Sequence, residues 1–260
     1  MMKKLLIGFS IGISSLLSAL GAETLVIGVT AGPHLEIMEH IKAKAAQDGL
    51  AIKIIEFNDF ILPNAALDQG DLDATSHQHQ PFLDEQVKAR GYKIVSAGNT
   101  ILLPMGVYSN QDIKDLKDLK PKSKVAIPND PTNGGRALLL LQQEGLIELR
   151  KGSGVTPSLL DITSNPKKLK FIELEAPQIP RSLNDVAIGV INTDWVLVAG
   201  MDPASSIAKE SIDSPYANII AVRSTDKNSP KIQQFVALYQ TDDTRTFIQE
   251  KFGAAIIPAW

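Results

Sequence analysis

The sequence contains no cysteine among its 260 residues. This absence excludes a disulfide framework, a thiolate metal site and a cysteine nucleophile. An excess of positive charge is also lacking, because the formal net charge is -3, which argues against a nucleic-acid-binding protein. The chain has no Gly-x-Gly-x-x-Gly after its first strand and no His-Glu-x-x-His, two motifs of common enzymes. We therefore expect no catalytic residue, no cofactor and no metal.

The first residues carry an export signal. Lys3 and Lys4 precede an apolar stretch from Leu5 to Leu17, and small residues follow up to Ala22. This order is typical of a secretory signal peptide. The alternative is a membrane anchor, but the apolar stretch is shorter than the ~20 residues that a span needs. We predict a signal peptide over 1–22, cleaved after Gly21 or Ala22, and export to the periplasm.

Short apolar runs typical of buried strands alternate with helical patterns along the rest of the chain. A strand at 24–30, a helix and a strand at 51–57 form the unit of a parallel sheet. The order starts again with a strand at 125–127, which follows a polar segment at 112–122. The pattern is compatible with two α/β units in series, joined by crossing strands, with the last two helices returning to the first unit. A single doubly wound sheet fits the pattern equally well.

The first candidate binding segment runs from Asn129 to Arg136, ahead of a leucine-rich helix. Asp130, Thr132 and Asn133 are good N-cap types, and Gly134-Gly135 would let backbone amides approach a ligand closely. A helix N-terminus favours an anion, and an arginine can grip a carboxylate with two parallel hydrogen bonds. The segment indicates a carboxylate site around Arg136. The plainer alternative is a capped helix with a surface arginine.

Two further segments carry polar side chains at the ends of predicted strands. His77 and His79 share a face if their segment is extended, which suggests either a metal site or a hydrogen-bonding histidine in a cleft. A metal site needs a third or fourth ligand, and no acidic cluster accompanies them. The buried strand at 186–191 ends in Asn192 and Trp195. Such polar strand ends are where α/β proteins place ligands, although a simple turn is the alternative.

Taken together, the motifs resemble the methionine-binding substrate-binding lipoproteins of ABC importers, the NlpA type. They occur in the family's order and cover nearly all of the chain after the signal. The matching segments are Phe57-Asn58-Asp59 with Leu62-Pro63-Asn64, Gln78-His79 with Pro81, Gly98-Asn99-Thr100, Pro128 to Asn133, Gly135-Arg136, Leu174 to Gln178 with Pro180 to Leu183, Asn192-Thr193, and Ser214-Pro215-Tyr216 with Asn218.

This resemblance implies a type II periplasmic-binding-protein fold, an α/β fold of two lobes with a ligand cleft between them. We expect lobe I to comprise 23–105 and 223–260, and lobe II to comprise 106–222. The implied ligand is methionine, and the implied partners are an ABC permease and its ATPase at the inner membrane. The protein itself would be a non-enzymatic monomer.

The resemblance also implies roles for eight residues. Arg136 would hold the ligand carboxylate. The other polar contacts would come from Asn192, Asn218 and His79. The surroundings of the ligand side chain would be Phe60, His77, Phe82 and Trp195.

The sequence departs from the family in three ways. Members usually begin at a lipid-modified cysteine, so we expect this chain to have no lipid anchor. Members commonly have phenylalanine where His77 stands, and tyrosine where Phe60 and Phe82 stand. The alternatives are therefore another small amino acid or a methionine-containing dipeptide. His77 and His79 separately suggest a metal-binding solute receptor, and the cleft alone would admit a periplasmic amidase.

Overall fold

The computed structural model describes residues 24–260. The predicted signal peptide at 1–22 lies outside the described residues. Residues 24–260 contain eight α-helices, which are α1 Pro33–Gln47, α2 Leu62–Gln69, α3 Gln80–Arg90, α4 Pro131–Gln143, α5 Ile179–Ser182, α6 Thr193–Val198, α7 Pro230–Tyr239 and α8 Asp242–Phe252.

The same residues contain fourteen strands. These are β1 Leu25–Thr30, β2 Ile52–Phe57, β3 Ala74–His79, β4 Ile94–Asn99, β5 Ile101–Leu102, β6 Gly106–Tyr108, β7 Lys124–Pro128, β8 Glu148–Leu149, β9 Ile162–Ser164, β10 Lys170–Leu174, β11 Ile188–Ile191, β12 Ala208–Lys209, β13 Asn218–Arg223 and β14 Ile257–Pro258.

The first of two five-stranded sheets has the order β2-β1-β3-β13-β4. Strands β1, β2 and β3 are parallel, and β13 runs antiparallel between β3 and β4. The predicted lobe limits place residues 218–222 in lobe II, but the strand that they form pairs with this first sheet. The chain therefore returns to the first unit before β13, some residues earlier than the limits predict.

The second sheet has the order β10-β7-β11-β6-β12. Strands β10, β7 and β11 are parallel, and β6 is antiparallel to both β11 and β12. The chain enters this sheet through residues 103–105 and leaves it through 210–217, so two segments connect the sheets. This architecture confirms the predicted two-lobe α/β fold rather than a single doubly wound sheet.

Each sheet has its own apolar core, as two separate units require. In the first core, Ile37 and Ile41 of α1 pack with Phe235 of α7 and Ile248 of α8, all fully buried. The C-terminal helices thus cover the first sheet, which confirms that prediction. The second core includes the leucines of α4 that follow Arg136. The packing of α4 holds its N-terminal end at the edge of the second sheet.

Candidate functional site

A narrow cavity lies between the two sheets. It is bordered by the carboxyl ends of β3 and β11, by the first turns of α4 and by the start of β13. Strand β3 belongs to the first sheet and β11 to the second, so the carboxyl ends of strands from both sheets face this cavity. The lining residues are Phe60, His77, Gln78, His79, Phe82, Leu103, Asn133, Arg136, Asn192, Asp194, Tyr216 and Asn218.

Seven of the eight predicted site residues line this cavity. The eighth, Trp195, does not line the cavity but packs against Phe60, which does; their ring centroids are 5.4 Å apart. The structure thus brings the predicted set together in one place. Whether each of them contacts a ligand stays a prediction.

Arg136 is buried, with only 4% of its side chain exposed. Its Nε donates to Glu210 at 3.0 Å, and its Nη2 donates both to Glu210 and to the carbonyl oxygen of Leu103, the latter at 2.9 Å. The ring of Tyr216 covers the guanidinium at 4.4 Å. The surface-arginine alternative is therefore wrong, because this side chain is a buried cation fixed on several sides.

The first turn of α4 is built differently from the expectation. Asp130 is the N-cap, and its side chain accepts a hydrogen bond from the Asn133 amide. A Cβ atom at Gly134 would lie 2.7 Å from the carbonyl oxygen of Pro128, and one at Gly135 would lie 2.8 Å from the Cα of Thr156. The two glycines thus allow close packing of α4 against neighbouring backbone, where we had expected them to admit a ligand.

The side-chain amide of Asn133 joins three parts of the site. Its Oδ1 accepts from Asn192 Nδ2 at 2.8 Å and lies 3.2 Å from His79 Nε2, while its Nδ2 donates to Asp130. Asn192 Oδ1 is left buried with no hydrogen-bond partner among the described residues. A buried acceptor of this kind is costly unless something donates to it, so a ligand N–H group would fit there.

His79 is a neutral hydrogen-bonding histidine. Its Nδ1 accepts from the backbone amide of Phe82 at 3.1 Å, so the proton lies on Nε2, which then donates to Asn133. Burial, assisted by the positive charge of Arg136, lowers the pKa of His79 to about 3. Both ring nitrogens are thus engaged within the protein.

His77 stands in an otherwise apolar part of the cavity. Its Nε2 lies 3.2 Å from the carbonyl oxygen of Phe60, and its Nδ1 is buried without a partner among the described residues. Burial, with a smaller contribution from His34, lowers the pKa of His77 to about 3. The rings of Phe60 and Phe82 lie edge to face with centroids 6.3 Å apart. This aromatic wall suits an uncharged, apolar or polarisable group.

A second polar group lies where β1 leads into α1. His34 Nε2 is 3.3 Å from Asn218 Nδ2 and 3.2 Å from Asp194 Oδ1. All three side chains are buried. The cavity therefore has one cation on the α4 side and one carboxylate on the α6 side.

Within residues 24–260, no group of three or more histidine, cysteine, aspartate or glutamate side chains is placed to hold a metal ion. None of the helices in that range combines the length and the apolar character needed to cross a membrane.

Sequence reasoning missed five lining residues, which are Gln78, Leu103, Asn133, Asp194 and Tyr216. Gln78, Asn133 and Tyr216 stand within the segments that carry the resemblance, and Asp194 stands beside Asn192, so their positions were available signals. Leu103 gave no signal, because it is an ordinary core residue whose carbonyl group makes the relevant contact.

Comparisons with known proteins agree with this geometry. The family model described as NlpA lipoprotein matches residues 25–260. A relative from Escherichia coli O157:H7 named D-methionine-binding lipoprotein MetQ is 46% identical over 239 residues, covering 90% of this chain and 88% of the relative.

Two solved structures are also similar. The structure of a nutrient binding protein from Burkholderia cenocepacia bound to methionine has a TM-score of 0.88 and 50% identity, and the match covers 91% of this chain and 100% of that one. A periplasmic substrate-binding protein of an ABC transporter from Coxiella burnetii has a TM-score of 0.87 and 43% identity, covering 90% and 100%. The chain belongs to the NlpA lipoprotein family, as its motifs predicted.

Proposed function

We propose that this protein binds methionine in the cavity between its two sheets and delivers it to an ABC importer. The observation that carries the proposal is the buried Arg136 in the same cavity as an aromatic wall. A cation fixed opposite polarisable ring faces matches an amino acid with a carboxylate at one end and a thioether at the other. The methionine-bound relative from Burkholderia cenocepacia supports the same ligand.

The ligand carboxylate would bind Arg136. The Nη1 atom makes none of the hydrogen bonds to Glu210 or Leu103, which leaves it for a ligand. Asn192 and Asn218 would contact the polar end of the ligand, and the unpartnered Asn192 Oδ1 would gain a donor. The ring nitrogens of His79 are engaged by Phe82 and Asn133, so His79 would support this end of the site through Asn133.

The thioether would lie among Phe60, Phe82 and His77, with Trp195 supporting Phe60 from behind. Each sulfur–aromatic contact would contribute about 1 kcal/mol. This arrangement needs no cofactor and no catalytic group, so we infer a binding protein rather than an enzyme.

Delivery to an importer would use the two lobes as units that close around the ligand by hinge motion. The two connecting segments, 103–105 and 210–217, are the positions available for such a hinge. We propose that a permease with its ATPase receives the loaded protein, and that the protein acts as a monomer. Gel filtration and co-purification with membrane components test these two statements.

For location, we propose a periplasmic protein without a lipid anchor. The printed sequence offers no cysteine for lipidation, whereas the relative from Escherichia coli O157:H7 is named a lipoprotein. Cell fractionation and detergent phase partitioning would show whether the protein behaves as free or as lipid-anchored. Recovery in the detergent phase would reject this part of the proposal.

One observation favours a second ligand class. The buried Nδ1 of His77 lacks a partner among the described residues, and it stands in the part of the cavity assigned to the thioether. A ligand with an N–H group there, such as a different small amino acid or a methionine-containing dipeptide, would satisfy it.

Mass spectrometry of small molecules released when the purified protein is denatured separates these ligands. We expect methionine as the dominant released molecule, in about equal molar amount to the protein. A dipeptide or another amino acid in its place would reject methionine while keeping the solute-binding function.

A further inference from the structure

The inference concerns Asp194, a carboxylate that the resemblance does not assign to the site. Its side chain is 7% exposed and lines the cavity. The Oδ1 atom lies 3.2 Å from His34 Nε2 but accepts no hydrogen bond among the described residues. A buried carboxylate oxygen without a donor is expensive for the folded state. A donor that reaches Asp194 Oδ1 would therefore stabilise the folded protein.

The other charged and titratable groups of the cavity do not supply a countercharge. Arg136, the cation of the site, is already paired with Glu210. His77 and His79 stay neutral because burial lowers the pKa of each to about 3. His34, whose Nε2 lies 3.2 Å from Asp194 Oδ1, is then the titratable neighbour that could offset the charge of Asp194.

His34 offsets Asp194 only where its Nε2 carries a proton. This atom lies 3.3 Å from Asn218 Nδ2 and 3.2 Å from Asp194 Oδ1, and which of the two contacts is a hydrogen bond depends on the tautomer. In the tautomer that accepts from Asn218, the lone pairs of Nε2 and Oδ1 face each other, an arrangement that a third group with several N–H bonds would relieve.

We propose that Asp194 is the binding partner of the α-ammonium group of the amino-acid ligand. This inference rests on the proposed function. An ammonium group is a compact cation with three donors, so it can contact Asp194 and Asn192 Oδ1 together. Its carboxylate would bind Arg136, and a zwitterion would then meet a cation and an anion in the same cavity. Asp194 contacts His34, which in turn contacts Asn218, so it belongs to the polar group of the cavity.

The test compares Asp194→Asn with the unaltered protein for two ligands, methionine and 4-(methylthio)butanoate, which is methionine without its amino group. Asparagine keeps the shape of aspartate and removes the charge. The matched control is Asp185→Asn, since Asp185 is exposed on the surface. Affinities are measured by calorimetry on ligand-free protein, with the weaker ligand measured by displacement.

We expect Asp194→Asn to weaken methionine binding at least about tenfold, as loss of a buried charge-assisted contact does. The same change should alter the affinity for the analogue by less than about threefold, because the analogue has no ammonium group. Asp185→Asn should bind both ligands as the unaltered protein does. Retained binding of the analogue also shows that the variant is folded.

Two results would overturn the inference alone. These are unchanged methionine affinity in Asp194→Asn, and an equal loss of affinity for both ligands. If the unaltered protein bound no methionine, the proposed function would fail, and this inference would fail with it.

Discussion

Arg136 and Glu210 form a buried ion pair, with side chains 4% and 12% exposed. Arg136 belongs to α4, and Glu210 begins the segment that leads back to the first sheet. The same guanidinium donates to the carbonyl oxygen of Leu103, which lies in the other connecting segment. One side chain of the site therefore contacts both segments that connect the sheets.

The first prediction concerns the stability of this pair. Glu210→Gln should lower the free energy of unfolding by about 3 kcal/mol, because it leaves the buried Arg136 without its countercharge. Urea denaturation measures the change. Glu144→Gln, at an exposed position, is the control and should stay within about 0.5 kcal/mol of the unaltered protein. Equal stability of the two variants would mean that the pair contributes nothing.

The second prediction concerns affinity. Arg136→Ala should weaken methionine binding by about 2 to 5 kcal/mol, since the ligand carboxylate would then be buried without a partner. The control is Arg181→Ala, which removes an exposed arginine. Calorimetry at constant salt compares the variants. Unchanged affinity in Arg136→Ala would remove this residue from the binding site.

The third prediction is a loss of stability in acid. The pKa of His77 and of His79 is about 3 in the folded protein, against an ordinary value of 6.5. Between these values the unfolded chain binds more protons than the folded one, so stability is complete above about pH 6.5 and falls as the pH decreases toward 3. The two histidines together give a slope of about 2.7 kcal/mol per pH unit at most.

A substitution isolates this contribution from that of the carboxylates. His77→Phe should reduce the slope of the unfolding free energy against pH by about 1.4 kcal/mol per pH unit, which corresponds to the uptake of one proton. Urea denaturation from pH 4 to pH 8 gives the slopes. His40→Gln is the control, because His40 is partly exposed and pairs with Asp243 at the surface. An identical slope in His77→Phe and the unaltered protein would show that His77 is not buried in the neutral form.

The fourth prediction uses the two tryptophans of the chain. Trp195 packs on Phe60 beside the cavity, whereas Trp260 packs on Tyr239 and Arg245 in the first unit. Methionine binding should therefore change the intrinsic fluorescence through Trp195. Trp195→Phe should abolish the change, and Trp260→Phe should retain it. The reverse pattern would place the ligand elsewhere.

Much of the fold could be predicted from hydrophobic periodicity and from the glycine and proline residues that end helices and strands. The predicted strands at 24–30, 51–57 and 125–127 differ from β1, β2 and β7 by no more than one residue at each end. Gly91 ends α3 in the left-handed conformation that glycine favours. Local patterns determine these elements, and the sequence shows local patterns directly.

The partner of β13 could not be predicted in this way. Its apolar run looks the same whether it pairs with a parallel or an antiparallel neighbour. Its position between β3 and β4 depends on contacts more than a hundred residues apart. The predicted lobe limit at 222 and 223 consequently cut through this strand.

In the site too, local patterns could be predicted and long-range contacts could not. Arg136 was predicted as a site residue because it follows N-cap residues at the start of a helix. Glu210 and Tyr216 stand 74 and 80 positions after Arg136 in the chain, and both contact its guanidinium group. These contacts form only when the chain folds back onto α4, which no local pattern in the sequence predicts. Asn133 was considered only as a cap, whereas its amide also joins His79 and Asn192.

Calorimetric titration of refolded, ligand-free protein with L-methionine and D-methionine tests the central claim most directly. We predict saturable binding of at least one enantiomer with one site per chain, accompanied by an increase in the thermal unfolding midpoint. No heat of binding and no thermal shift with either enantiomer would contradict the assignment of methionine to this cavity.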